Sequence, residues 1–326
     1  MALSLIAADD DDGRRLDRIL RKALPNLPLS ALHKLLRKGK VQVNGKKARP
    51  ETRVNSGETI SIQGLDNGDD AKGANREKPR AAMHSSESAL DILYEHDGLL
   101  ILNKPAGLAA HGEDSLEEQV LSYLMPKLPP SLSFKPGPLH RLDKPSSGVI
   151  AFSTNLEGAR NFSALVRDRK IRKLYLAIVD GLFENIDAPI IWEDNLTRDK
   201  DEKKTFVRDE STEKSQKALT AITPVAASQS HTLVLAEIET GRTHQIRAQA
   251  AAHGHPLSGD KKYGAKPLPD CRGFFLHAWV LEFNLQRIRA PLPENFRREI
   301  SGLFGKEVLQ NLEKSYTELT WFKTIN

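Results

Sequence analysis

The sequence predicts an α+β protein, a body built on a mixed, largely antiparallel central sheet preceded by a small α+β unit. Three observations carry that reading. Strand-type and helix-type segments are mixed without regular alternation, which disfavours a doubly wound parallel sheet. The apolar runs KLYLAIV (residues 173–179) and FFLHAWVLEFNL (274–285) have the composition of strong strands, the first of them buried and central. Asn-Gly at 44–45 closes the strand-like VQVNG, and Asp-Gly at 97–98 sits between two apolar runs, dipeptides that mark tight hairpins.

A chain of 326 residues suffices for two or three domains. The predicted division is a tail (1–13), a basic unit (14–64), a Gly/Ser-rich linker (65–89) and the body (90–326). In the basic unit, Leu16, Ile19, Leu20 and Leu24 have amphipathic-helix spacing, and Pro25 and Pro28 stop that helix. A second helix follows Ser30, with Leu32, Leu35 and Leu36 on one face and Lys34, Arg37 and Lys38 on the other, and Gly39 ends it. VQVNG and ETISI read as two short strands.

The body opens on a hairpin, ILYEHDGLLILNKPAG, whose second arm delivers Lys104 to a loop. Ser115 and Glu118 predict a capping box opening a helix through Leu116, Val120, Leu121 and Leu124, and Asn155 predicts a cap for a helix through Phe162 and Val166. Residues 183–217 are crowded with alternating charge and are expected to protrude as a solvated hairpin or insertion. HTLVLAEIET alternates like a half-buried strand, and the residues after Gly241 fit a helix ending at Gly254.

Composition bounds the function. A hydrophobic content of 39% and a charged content of 28% are ordinary for soluble proteins. No apolar run approaches the roughly 18 residues of a membrane span, and MALSLIAADDDD lacks the basic start and apolar length of a secretory signal, so a cytoplasmic protein is expected. A single cysteine, Cys271, excludes an internal disulfide and a cysteine-based zinc framework. Charge is unevenly spread: residues 14–62 carry 13 Lys and Arg against 3 Asp and Glu, whereas the first 13 residues hold four aspartates. A basic module on a near-neutral body suggests a polyanionic partner.

The chemical centre is HRLDKPSSG, residues 140–148. Asp143 lies between Arg141 and Lys144, and the turn formers from Pro145 to Gly148 lead into the apolar run 149–152, which places the carboxylate on a loop before a strand. A carboxylate beside a guanidinium is favoured in its charged form, the form a nucleophile or general base requires. The alternative for so short a motif is a surface ion pair of little consequence.

HRLDKPSSG resembles the signature of the RluA family of pseudouridine synthases, with Ser146 where the family has threonine. NKPAG (103–107), KLYLAIV, GRTHQIR (241–247), HPLSGDKKYG (255–264) and LHAW (276–279) resemble further family motifs and follow in the family's order. The basic unit resembles the alpha-L RNA-binding domain named after a small-subunit ribosomal protein. Its Arg14, Arg15, Arg18, Lys34, Arg37, Lys38 and Lys40 are the expected phosphate contacts.

The resemblance implies a pseudouridine synthase fold and isomerisation of uridine to pseudouridine in RNA without cofactor or metal. Asp143 matches the family's catalytic aspartate, Arg247 the arginine paired with it, and Tyr175 the tyrosine that stacks on the base. Ile246 matches an apolar contact to the uracil, and Arg141 the arginine that helps expel the uridine from a helix. Lys104 is expected either to contact phosphate or to hold the site together. Attack of the carboxylate on the sugar and removal of a sugar proton to give a glycal both remain open. The expected substrate is large-subunit ribosomal RNA, with transfer RNA second, and the expected state is a monomer with no membrane association. The rival readings are a non-catalytic RNA-binding assembly factor and a glycosidase, which would need a second working carboxylate. His244, His253, His255 and His277 raise a zinc reading, but no carboxylate or thiolate set completes it, and no metal is expected. The GDKKYG segment, 259–264, is read as a structural turn near the site.

Overall fold

The computed structural model describes residues 2–65, 90–128, 131–184, 188–199, 201–208, 215–268 and 273–314. The predicted linker beyond residue 65 and Cys271 lie outside these residues.

The N-terminal unit runs β1 (Ala2–Ile6), β2 (Arg14–Arg15), α1 (Leu16–Ala23), α2 (Leu29–Arg37), β3 (Val41–Val43), β4 (Lys46–Lys47), β5 (Arg53–Val54) and β6 (Thr59–Gln63). Leu16, Ile19 and Leu20 of α1 and Leu32 and Leu36 of α2 close over Val41, Ile60 and Ile62, so the helical and strand periodicities meet in one core. Asn44 and Gly45 both take positive φ, 49° and 77°, as a two-residue hairpin of this hand demands.

The predicted tail is a correction. Ala2–Ile6 pairs antiparallel with Thr59–Gln63 and sends Leu3 and Leu5 into the core of the unit. The four aspartates after it all accept hydrogen bonds within the protein, although Asp9 and Asp12 stay exposed. Asp9 accepts the Ser56 hydroxyl at 2.6 Å, Asp12 the Ser56 N–H at 3.0 Å, and Asp10 the N–H of Leu156 in the body at 3.0 Å. Asp11 is fully buried and accepts from the Leu132 N–H and the Ser133 hydroxyl, also in the body. The acidic run is therefore a latch between the two units, and Leu65, buried in the same core as β1, moves the unit's far boundary by one residue.

The body contains β7 (Ile92–His96), β8 (Leu99–Lys104), α3 (Leu116–Leu124), β9 (Gly137–Pro138), β10 (Ser147–Ser153), α4 (Leu156–Arg167), β11 (Arg172–Asp180), β12 (Ile190–Asp199), β13 (Lys204–Arg208), β14 (Gln216–Ala227), β15 (His231–Ile238), α5 (Gln245–Ala252), β16 (Leu276–Phe283), β17 (Gln286–Arg289), α6 (Glu294–Phe304) and α7 (Lys306–Lys314). The strand order is β13-β12-β14-β15-β11-β16-β10-β8-β7, with β17 on β16 and β9 on β10. Every described pairing is antiparallel except β10 with β16, so the mixed, largely antiparallel sheet is as expected.

Three further expectations change. Residues 190–199 and 204–208 form a hairpin, but β12 is an integral strand of the central sheet, and Trp192, Leu196 and Thr205 are buried despite the surrounding charge. β15 is buried nearly throughout, because α6 and α7 cover the face that alternation assigned to solvent. Ser115 stands at the start of α3 without capping it: its hydroxyl donates to the Gly112 carbonyl at 2.7 Å, and Glu118 accepts the Asp114 N–H at 3.0 Å. The Asn155 cap is as expected, accepting the Gly158 N–H at 2.7 Å.

Two histidines tie the 140–148 loop and β16 to the sheet. His140 Nε2 accepts the Ala151 N–H at 3.0 Å, and His277 lies 2.8 Å from the Ser147 hydroxyl through Nδ1 and 3.3 Å from the Ala290 carbonyl through Nε2. Burial lowers His140 to about 3, with the Lys173 charge adding to it, and lowers His277 to about 4. Both folded values lie below that of an unfolded histidine. Stability is therefore retained above about pH 6.5 and lost as pH falls toward 4, at up to ~1.4 kcal/mol per pH unit per histidine. Denaturant unfolding followed from pH 7 to 4 is expected to show this slope, and His277→Gln is expected to lower it by one proton's worth; an unchanged slope would show that His277 is not its source.

Candidate active site

Asp143 sits on the loop entering β10. The Ser146 N–H donates to the Asp143 carbonyl at 3.0 Å, closing the turn, and the Gly107 N–H donates to the Lys144 carbonyl at 2.8 Å, tying the turn to the loop after β8. Gly148 then passes β16 so closely, at φ 108°, that a Cβ there would strike the backbone of Ala278. The loop is thus aimed by backbone contacts that no side-chain rearrangement can relax.

Lys104 is fully buried, and its ammonium donates to the carbonyls of Pro105 (2.9 Å), Leu108 (2.8 Å) and Lys144 (3.3 Å). Burial lowers its pKa to about 8, against the pull of Asp143. Its three donors are taken inside the protein, which leaves the phosphate-contact expectation unsupported and makes Lys104 the pin between two loops. Lys104→Met should leave three carbonyls without a donor and cost about 3 kcal/mol in unfolding free energy. A stability loss well under 1 kcal/mol would refute the pin.

Arg247, on the first turn of α5, is 6% exposed. Its Nη1 donates to Asp143 Oδ2 at 2.8 Å, while Nε and Nη2 fork onto the two oxygens of Asp260 at 2.6 and 2.9 Å. The guanidinium also lies 4.3 Å from the Phe274 ring centre and 4.9 Å from that of Tyr263. Burial alone would weaken its hold on its proton. The hydrogen bonds and charge of Asp260, then of Asp143, outweigh this and raise its pKa above the usual arginine value.

His244 caps α5 in a left-handed conformation, φ 55°, which turns its ring back over the site. Its Nε2 is 3.7 Å from Asp143 Oδ1, and its Nδ1 is 2.9 Å from the Tyr263 hydroxyl, which itself accepts the Thr205 N–H at 2.9 Å. The Tyr263 hydroxyl thus holds one edge of the imidazole, and the other edge, Nε2, faces the carboxylate. Burial lowers the His244 pKa, Asp143 opposing.

Tyr175, in β11, is buried between Ala236 of β15 and Ala278 of β16. Burial, and then the Asp143 charge, raise its pKa, so it is a phenol and not a phenolate at neutral pH. Ile246 is buried in the same core. Arg141 is exposed on the solvent side of the loop. The structure thus gathers Asp143, Tyr175, Ile246 and Arg247, leaves Arg141 at the rim and puts Lys104 underneath.

Asp260, Tyr263 and the role of His244 are not legible in the sequence. GDKKYG has the composition of a turn, and nothing in its spacing says that its aspartate returns to Arg247. The other histidines are occupied separately, His253 with Asp194 at 3.1 Å and stacked on Trp192, His255 stacked on Phe183, His277 in the sheet. Among the described residues, no group of three or more His, Cys, Asp or Glu is placed to hold a metal ion.

Known proteins place this chain in a class. Residues 98–252 match the family model described as RNA pseudouridylate synthase, and residues 14–60 match the S4 domain. Fold and sequence are those of an RNA uridine-to-pseudouridine isomerase carrying an RNA-binding S4 unit. "Ribosomal large subunit pseudouridine synthase C" of Salmonella typhi is 31% identical over 323 residues, covering 92% of this chain and 96% of that one. Its namesake in Escherichia coli K12 is 31% identical over 318 residues, covering 90% and 94%. The chain belongs to the RNA pseudouridylate synthase family. Among solved structures, "Human RNA Pseudouridylate Synthase Domain Containing 4" shares the fold at a TM-score of 0.53 and 22% identity, covering 64% of this chain and 91% of that one.

Proposed function

We propose that this protein isomerises specific uridines of large-subunit ribosomal RNA, with Asp143 as the catalytic carboxylate, as a cytoplasmic monomer needing no cofactor. The observation that carries the reading is the Asp143–Arg247–Asp260 chain, a half-buried carboxylate held by a guanidinium whose other edge is anchored. The net reaction breaks the bond from N1 of uracil to C1′ and forms one from C5 to C1′. The C5 proton leaves and N1 gains one, so no electrons are exchanged with an outside agent. Attack on C1′ and abstraction of a C2′ proton both require one carboxylate fixed in direction beside the sugar, which the Arg247 bond supplies.

The buried Tyr175 ring and Ile246 offer an apolar wall for the uracil, with Tyr175 acting as a neutral phenol. Arg141, exposed on the loop, is free to enter the space that an extruded uridine leaves. The ribosomal substrate is supported by the relatives' names and by the basic unit. Among the described residues no helix is long and apolar enough to cross a membrane.

A site-resolved pseudouridine map of total RNA tests the reading, using cells lacking the protein and rescued by wild type or by Asp143→Asn. Large-subunit sites restored by wild type alone support it; restoration confined to transfer RNA would move the substrate, and restoration by both proteins would remove Asp143 from the chemistry. For the basic unit, replacing Lys34, Arg37, Lys38 and Lys40 together by glutamine is expected to reduce the slope of log affinity against log salt by ~3 units, nearly one for each phosphate that is no longer neutralised. An unchanged slope would place the footprint elsewhere.

A further inference from the structure

The seam between the S4 unit and the body holds a cleft of about 370 Å³. Arg14, Arg15, Arg18 and Arg53 of the S4 unit and Arg160 on α4 of the body line it, and no carboxylate does. Their internal partners orient these arginines without neutralising most of them. Arg53 donates to the Gly13 carbonyl at 2.5 Å and Arg14 to the Ser133 carbonyl at 3.5 Å; only Arg15 has a carboxylate, forking onto Asp17 at 3.1 and 2.8 Å. Arg18 and Arg160 are exposed and form no salt bridge among the described residues. The nearby acids are committed to the latch, Asp10 on the Leu156 N–H and Asp11 on Leu132 and Ser133. The start of α4 is therefore already capped, and the positive charge belongs to the side chains.

Like charges are assembled here from two units and only partly compensated, Asp11 and Asp10 acting on Arg14 while Arg18 and Arg160 repel it, an arrangement that favours the entry of an anion. Guanidinium forks match phosphate oxygens in pairs. A second cleft, about 760 Å³, continues from the first, sharing Arg14 and Arg18 and adding Arg21, Lys22, Pro28 and the half-exposed Leu29. A line of cations with an apolar shoulder suits a polynucleotide, whose phosphates recur and whose sugars and bases need apolar contact, better than an isolated small anion.

We infer that this seam grips a backbone phosphate of the RNA substrate, with Arg18 of the S4 unit and Arg160 of the body closing on it from opposite walls. The inference rests on RNA being the substrate. It assigns part of the RNA footprint to the body's α4 and couples the two units through the ligand.

The test titrates full-length protein with a labelled large-subunit ribosomal RNA fragment over a salt series, comparing wild type, Arg18→Gln, Arg160→Gln and their double variant. Arg167→Gln, on the same helix but outside the cleft, is the control. Each single change at the cleft is expected to lower the log-log slope by ~0.7–0.9 and the double change by less than the sum, because both side chains serve one phosphate. Arg167→Gln should leave the slope unchanged. An unaltered slope for Arg160→Gln, or strictly additive losses, would overturn the shared grip. So would a rise in wild-type melting temperature with inorganic phosphate or ATP, abolished by Arg160→Gln, if the RNA slope did not move: that is a small-anion site. Pseudouridine formed by wild type on the same fragment is measured in parallel. Product with an unaltered Arg160→Gln slope sinks the grip and leaves the substrate assignment standing; a lowered slope without product keeps the grip and sinks the activity assigned to that RNA.

Discussion

Asp143→Asn is expected to lower the rate of pseudouridine formation by ~10⁴-fold or more while RNA affinity stays within a few-fold of wild type. The amide keeps the shape of the side chain and can still accept from Arg247 Nη1, so the 2.8 Å contact survives in weakened form. Neither attack on C1′ nor proton abstraction survives, because the amide is a poor nucleophile and a poor base. Binding persists because the cationic surfaces lie on other residues. Release of the C5 proton from RNA labelled at that position, measured in single turnover, separates the outcomes. Turnover within tenfold of wild type would remove Asp143 from the chemistry; weakened affinity with residual turnover would make it a binding residue.

The second large effect is expected at Asp260. Its carboxylate is 2% exposed and holds two of the three donors that Arg247 directs at carboxylates. Asp260→Ala leaves a buried guanidinium with Asp143 as its remaining carboxylate, which should destabilise the fold by about 3–5 kcal/mol and draw Asp143 off its line. Removing both charges with Arg247→Met and Asp260→Leu together is expected to recover most of that stability, since no buried ion is then stranded, and to recover no activity. Denaturant unfolding and product formation on the same preparations distinguish the two roles. Equal stability of Asp260→Ala and wild type would mean that the fork is ornamental; activity in the double variant would mean that Asp143 needs no holder.

Much of this molecule is legible in its sequence because its signals are local. A two-residue turn with positive φ, an apolar helix stripe or a strand with six apolar residues in a row each declares itself within a short window, and family motifs name Asp143, Tyr175 and Arg247 by position. Whatever depends on distant residues meeting is not legible. Asp260 looks like any turn aspartate until α5 and the loop after it are folded together, and Asp11 looks like part of a solvated run until residues 131–133 arrive to bury it. In β12, charge density hides Trp192 and Leu196, which are separated by the polar Glu193, Asp194 and Asn195. Lys104 is undecidable for a related reason: a lysine's environment is set by carbonyls, and a sequence records no carbonyl positions.

The latch between the acidic run and the body has a further consequence. With Asp10 and Asp11 bonded across the boundary and β1 woven into the S4 sheet, the two units are joined at a second point besides the covalent chain. A tether closed twice holds the separation between basic surface and Asp143 nearly constant, as a caliper set to one opening. On the proposed function, RNA that satisfies the basic surface would bring to Asp143 whichever nucleotide lies one fixed span away. Target choice then becomes partly a matter of length measured along folded RNA, and a substitution that loosens the latch should blur which uridine is modified before it slows how fast.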